Sequence, residues 1–163
     1  MSPWIWVLLG AMLLGLGTCG GVVGLLVLGA SGDDGGVLMG AQVPDAKKAK
    51  LRARNLLRED DELVAYYDAT IALDMSEVAV LTTERLTHAK GSHVATVPLE
   101  AIVSIEHRSE GVIGDVIEVR SSSGERIRIE VAPFNDGVSF LNALEDETRD
   151  VNPDVVVRRQ APR

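Results

Sequence analysis

From Leu63 to Val131 the apolar residues fall in short runs and alternations broken by turn chemistry. Ile127 and Ile129 alternate with Arg126, Arg128 and Glu130, and Ile117 and Val119 alternate with Glu118 and Arg120. A period of two marks a strand with one buried face. Together with β-branched enrichment, the pattern predicts seven strands over 63–73, 78–83, 85–90, 93–98, 102–108, 112–121 and 125–131. Turn residues separate them at Asp74-Met75-Ser76, Thr83-Glu84, Gly91-Ser92, Glu110-Gly111 and Ser123-Gly124. The periodicity then changes. Asn135 or Asp136 can cap a helix running to Glu145, with Phe134, Val138, Leu141 and Leu144 as its apolar face. Beyond this module, 59–148, the tail over 149–163 reads as mobile, with an edge strand at Val155-Val156-Val157 as the alternative.

Upstream the pattern is different. Residues 4–30 are apolar or small throughout, and residues 1–32 carry no charge. About 20 such residues suffice to cross a bilayer, so the run predicts a single transmembrane anchor over 1–31, with Trp4 and Trp6 at its interface. Gly17 and Gly21, and Gly20 and Gly24, are each spaced by four. That spacing suits a helix-dimer seam, or reflects the glycine common in membrane helices. A flexible, Gly-rich linker follows over 32–46, then a basic helix over 47–58. The lysines and arginines after the span place the C-terminal domain in the cytoplasm of a single-pass cell-membrane protein. Lys47, Lys48, Lys50, Arg52, Arg54 and Arg58 can meet an anionic lipid surface, or the Ala/Leu stripe of the same helix can pack on the module.

Charge sharpens the division. Between residues 59 and 147, 19 acidic side chains face six basic ones. Such a module repels phosphate backbones, which excludes nucleic acid as a partner class. Cys19 is the only cysteine, so no intramolecular disulfide or Cys-based zinc site exists. The Leu16-Gly17-Thr18-Cys19 run lacks the positive n-region of a lipoprotein signal.

Three stretches resemble one family. Leu81-Thr82-Thr83-Glu84-Arg85-Leu86 is similar to the LT-x-x-RL corner of bacterial pleckstrin-homology (PH)-like domains. The run from Val97 to Glu106 resembles their IPL-x-x-I-x-S-V segment, and 134–144 their terminal helix, with Phe140 as the central aromatic. The resemblance covers about 90 residues. It implies a mainly β fold: a PH-like seven-stranded antiparallel barrel closed by a C-terminal α-helix. A small barrel of another family is the alternative. Thr82, Thr83 and Arg85 are expected to hold the corner structurally, Arg85 pairing with Glu84 or Glu106. One departure matters. Phosphoinositide-binding PH domains need cations around the first hairpin, whereas 72–77 here carries Asp74 and Glu77 and no cation. That argues against phosphoinositide as a ligand.

Candidate chemistry is sparse. His88 and His93 flank one predicted hairpin and His107 adjoins Arg108, but no third metal ligand is evident. No nucleophile–base spacing, phosphate-cradling loop or cofactor motif is present. The expectation is a non-catalytic module without cofactor or metal, serving protein binding or self-assembly at the membrane. Peripheral recognition of anionic lipid through 47–58 is the alternative.

Overall fold

The computed structural model describes residues 35–160, all within one compact unit, Gly35–Arg163. Nine strands build two sheets. In the first, β1 (Leu38–Met39), β2 (Leu63–Asp68), β3 (Glu77–Thr82), β4 (Arg85–Lys90) and β5 (His93–Pro98) lie in sequence order, all antiparallel. A single 3₁₀ turn, Leu99–Ala101, carries the chain from β5 to the second sheet. That sheet contains β6 (Ile102–Glu110), β7 (Gly114–Ser121), β8 (Arg126–Val131) and β9 (Val156–Gln160), in the order β8-β7-β6-β9. Among the described residues two α-helices complete the fold: α1 (Asp45–Ala53) and α2 (Gly137–Val151).

The main core lies between the sheets. Ala65, Tyr67, Ala79, Leu81, Leu86 and Val97 of the first sheet meet Ile105, Ile117, Val119, Ile127 and Ile129 of the second. Phe140, Leu141 and Leu144 of α2 pack into the same cluster. The opposite face of the first sheet is also apolar. Tyr66, Val78, Val80 and Ala89 form a second core with Val43, Leu51, Leu56 and Leu57. The chain before β2 is therefore a layer of the fold, and part of the expected linker is structured. Gly40 shows how closely it docks, because a Cβ there would stand 1.8 Å from the Leu63 carbonyl oxygen. Only glycine permits that approach.

Helix α1 ends earlier than the residue pattern implies. Asn55 adopts φ 57, the Leu56 N–H donates to the Leu51 carbonyl at 2.9 Å, and the Asn55 N–H donates to Arg52 at 2.9 Å. This is a Schellman stop with asparagine in the glycine position, and it turns Leu56 and Leu57 into the second core. Helix α2 begins where Asp136 accepts a hydrogen bond from the Ser139 N–H at 3.3 Å.

Three expectations are corrected. The seven-stranded PH-like barrel is not formed: among the described residues the sheets are separate, and no pairing joins an edge of one to an edge of the other. The outer sides of β2 and β6 are instead taken by β1 and β9. The tail is not mobile over 156–160, because β9 runs parallel to β6 from Ser104↔Val156 to Arg108↔Gln160, with Val155 buried beside it. A single-pass membrane protein is not supported either. Among the described residues no helix is long and apolar enough to cross a membrane, α1 having nine residues and α2 fifteen against the roughly 20 required. The expected span over 1–31, the Gly17, Gly20, Gly21 and Gly24 seam, and Cys19 lie outside the described residues.

The second core makes a direct prediction. Leu51 is fully buried against the outer face of the first sheet. Leu51→Ala should cost about 2–4 kcal/mol in urea unfolding, as a core truncation does. A loss within the scatter of surface substitutions would show that α1 does not stay docked.

Candidate functional site

One end of the module gathers three loops: β2–β3, β6–β7 and β8–α2. Their neighbourhood is fixed by several contacts. The Ala132 N–H donates to the Tyr67 hydroxyl at 3.0 Å, joining the ends of β8 and β2. Gly114 at the start of β7 abuts the 131–133 backbone, where a Cβ would lie 2.1 Å from the Val131 oxygen. The Val37 N–H donates to the Asn135 carbonyl at 2.9 Å.

This end presents apolar side chains to water. Ile71, Phe134 and Val112 are exposed at 105%, 104% and 93%, as open as in an extended chain, with Ile113 and Val138 partly exposed nearby in sequence. Each loop carries one of the three. The backbones of two of the loops, β2–β3 and β8–α2, are strained as well. Of the five non-glycine residues with positive φ, four are here: Leu73 (50), Met75 (64), Phe134 (72) and Asp136 (59). Bulky side chains avoid this region, at a cost of order 1–3 kcal/mol each. Phe134 combines both features, and its own packing accounts for neither.

The loops are nevertheless held. Buried Asp68 accepts from the Thr70 N–H at 3.0 Å, the Thr70 hydroxyl at 2.5 Å, the Met75 N–H at 3.0 Å and the Tyr66 hydroxyl at 3.3 Å. Arg54 donates to the Met75 carbonyl from the far side. In sequence the loops carry Asp74 and Asp136, with Glu110 at the end of β6. The Ser76 N–H donates to Asp74 at 2.9 Å and, with the Ser76 side chain, holds its carboxyl below the ordinary 3.8. His107 pairs with Asp115 at 2.8 Å, and Arg108 with Glu110 at 2.6 Å.

The residues singled out from the sequence lie elsewhere. Thr82 organises the β3–β4 corner, its hydroxyl accepting from the Arg85 N–H at 3.1 Å and the Glu84 N–H at 3.3 Å, and donating to the Arg85 carbonyl at 3.2 Å. The Thr83 N–H donates to the Glu62 carbonyl at 3.2 Å. Arg85 is buried; its close partner is Asp61, Glu84 makes a longer ion pair with it at 3.9 Å, and Glu106 is not a partner. Of the basic segment, Lys47 sits 5.4 Å over the Tyr66 ring and Arg52 is 3.4 Å from Glu59. The Arg58 N–H donates to Asp61 at 2.5 Å, while Lys48 and Lys50 lie on α1. The side chains of three of these six cations, Lys47, Arg52 and Arg54, are thus engaged within the module, whereas the Arg58 guanidinium is exposed and 4.0 Å from Glu84.

His88 and His93 do come together, in a cleft of about 260 Å³ between the first sheet and β8 that also includes Lys90, Arg126 and Arg128. His88 is 3.5 Å from Glu77. Among the described residues no group of three or more His, Cys, Asp or Glu side chains is placed to hold a metal ion.

The loop end itself was missed in the residue pattern. Phe134 reads there as part of the apolar face of α2, whereas it precedes the helix and faces solvent. The available signal was apolar residues inside turn chemistry: Ile71, Val112 and Phe134 each sit in a segment bounded by Asp, Gly, Pro or Asn. No family model matches the chain, and neither the curated proteins nor the solved structures contain a significant match. The PH-like resemblance therefore rests on its three motifs alone.

Two measurements test this description. Burial pushes the His88 imidazole below its ordinary 6.5, against the opposing pull of Glu77. The unfolded chain then binds the extra proton first, so stability is complete above 6.5 and falls as pH drops below it. His88→Gln should flatten that part of the stability–pH curve; an unchanged slope would assign the loss to other groups. Phe134→Asn should raise stability by about 0.5–1 kcal/mol, since asparagine tolerates the left-handed region and no buried surface is lost. A lower Tm would mean that the ring packs in solution.

Proposed function

We propose that this chain is a non-catalytic protein-binding module whose contact surface is the loop end carrying Ile71, Val112 and Phe134. The observation that carries this reading is Phe134, a fully exposed aromatic held at φ 72 on a hydrogen-bonded framework. Strain kept without a packing return gathers where a surface is shaped for a ligand. Exposed apolar side chains rimmed by charge mark protein-contact sites, and aromatic anchors dominate their energetics.

Chemistry narrows the partner. Asp74 and Asp136 belong to the same loops as Ile71 and Phe134, and Glu110 beside the third loop is paired with Arg108, so the complementary surface is apolar at its centre and basic at its edge. Two copies of this chain would set acid against acid at the same face, which favours a different protein over self-assembly. Burying each of the three side chains contributes about 1.5–3 kcal/mol before association costs, which suits a reversible contact. The Lys47, Arg52 and Arg54 side chains are already engaged, and no observation favours lipid contact through that segment.

The test places a photo-crosslinking phenylalanine analogue at position 134 of the full chain in cells, with Ser123 in the β7–β8 hairpin as control. The expected result is one discrete heterologous adduct from position 134, absent at 123 and lost when Ile71→Ser and Val112→Ser are added. Equal adducts from both positions, or adducts only to a second copy of the chain, would overturn the reading.

A further inference from the structure

At the opposite end of the module, the β3–β4 corner opens on a cleft of about 510 Å³. Arg85 lines it, and behind Arg85 lies its ion-pair partner Asp61; the two side chains are only 8% and 1% exposed. The pair is incomplete. Arg85 Nη2 meets Asp61 Oδ2, but buried Arg85 Nη1 and Asp61 Oδ1 have no hydrogen-bond partner among the described residues. A buried guanidinium nitrogen without an acceptor is costly and rare, and calls for a specific cause.

Glu84 shows what the missing acceptor is. Its Oε2 stands 3.9 Å from Arg85 Nη1 and 4.0 Å from Arg58 Nη1, poised between two guanidinium groups and bonded to neither. The Glu84 and Arg58 side chains are 65% and 66% exposed, so both are free to swing. The Glu84 backbone is anchored, its N–H donating to Thr82 Oγ1 and its carbonyl accepting from the Leu99 N–H, so its carboxylate reaches the two guanidinium groups only on the tether of its own side chain. An incoming carboxylate has no such tether. It can take both oxygens to the fork of Arg85 and Arg58, the arrangement for which arginine is suited. Of the remaining lining, Pro98 of β5 and half-exposed Val151 of α2 are apolar, while Thr96 and Glu100 are polar, Glu100 adding a second carboxylate at the cleft.

We infer that this cleft binds an aliphatic carboxylate, which displaces Glu84 from between Arg58 and Arg85 and lays its hydrocarbon portion against Pro98 and Val151. Glu84 then acts as an internal competitor that sets the affinity. The inference is independent of the loop-end reading, since the two sites share no residue and either can fail alone. Small branched acids and the C-terminus of a peptide ending in leucine present this same chemistry.

The test titrates the full chain with 4-methylpentanoate, N-acetyl-Gly-Leu and N-acetyl-Gly-Leu amide, following the Thr83, Glu84 and Arg85 amide resonances. Both acids should shift these resonances and the amide should not; response to the peptide acid alone would identify a chain terminus, and response to the small acid alone a metabolite. Glu84→Gln should tighten binding about three- to tenfold by removing the competitor, and Arg58→Gln should weaken it about tenfold, as for loss of one charge-assisted contact. Both substitutions are at exposed positions and leave the buried pair intact. The inference is overturned if the amide binds as well as the acid, if neither acid shifts the corner, or if Glu84→Gln fails to tighten.

Discussion

The central strand of the first sheet has no polar face. In β3, Ala79 and Leu81 point to the main core while Val78 and Val80 point the other way, and all four are buried. A strand apolar on both sides needs cover on both sides. The second sheet and α2 supply one cover; the segment from β1 through Leu57 supplies the other. This requirement explains why α1 packs inward by Leu51, why Asn55 breaks the helix to deliver Leu56 and Leu57, and why Gly40 must be glycine. It also explains why the basic segment is tethered. Cations on a helix whose apolar side is docked find aromatic, carbonyl and carboxylate partners on the module itself.

A rigid frame leaves its two ends free to differ. At the loop end, backbone strain and apolar exposure persist because Asp68, the Tyr67 hydroxyl and the close approach at Gly114 fix the loops from below. At the corner end, hydrogen bonds from Thr82 fix the backbone while ionic side chains remain poorly matched. One end offers shape and apolar area, the other an unfilled guanidinium. Both rest on β2 and β3, so perturbing the first sheet reaches each of them.

Local pattern was legible and distant pairing was not. The alternation in 125–131 and 112–121 located β8 and β7, and the turn residues located their hairpins, because those features depend on neighbours in sequence. Strand β2 stops at Asp68, short of residue 73, because the carboxylate bonds the following loop instead of extending the ladder. The partner of Arg85 is Asp61, 24 residues away, where nearer carboxylates looked equally able. Barrel closure depends on what lies beside β2 and β6, and no pattern within those strands announces β1 or β9. Exposed Phe134 was hidden by its own hydrophobicity, since an apolar residue beside a helix reads as core.

Strand β9 carries a consequence for the order in which the chain acquires its structure. Its partner β6 is made early, and the Asn152 side chain that anchors the crossover donates to the Ile102 carbonyl across 50 residues. During synthesis β6, β7 and β8 can pair as soon as they emerge, because their connections are hairpins. The outer edge of β6 then stays unpaired until the last strand has left the ribosome. Throughout that interval the nascent chain displays an open β edge able to recruit another chain. Vectorial synthesis therefore makes the C-terminal strand the final safeguard against misassociation as well as the last piece of the sheet.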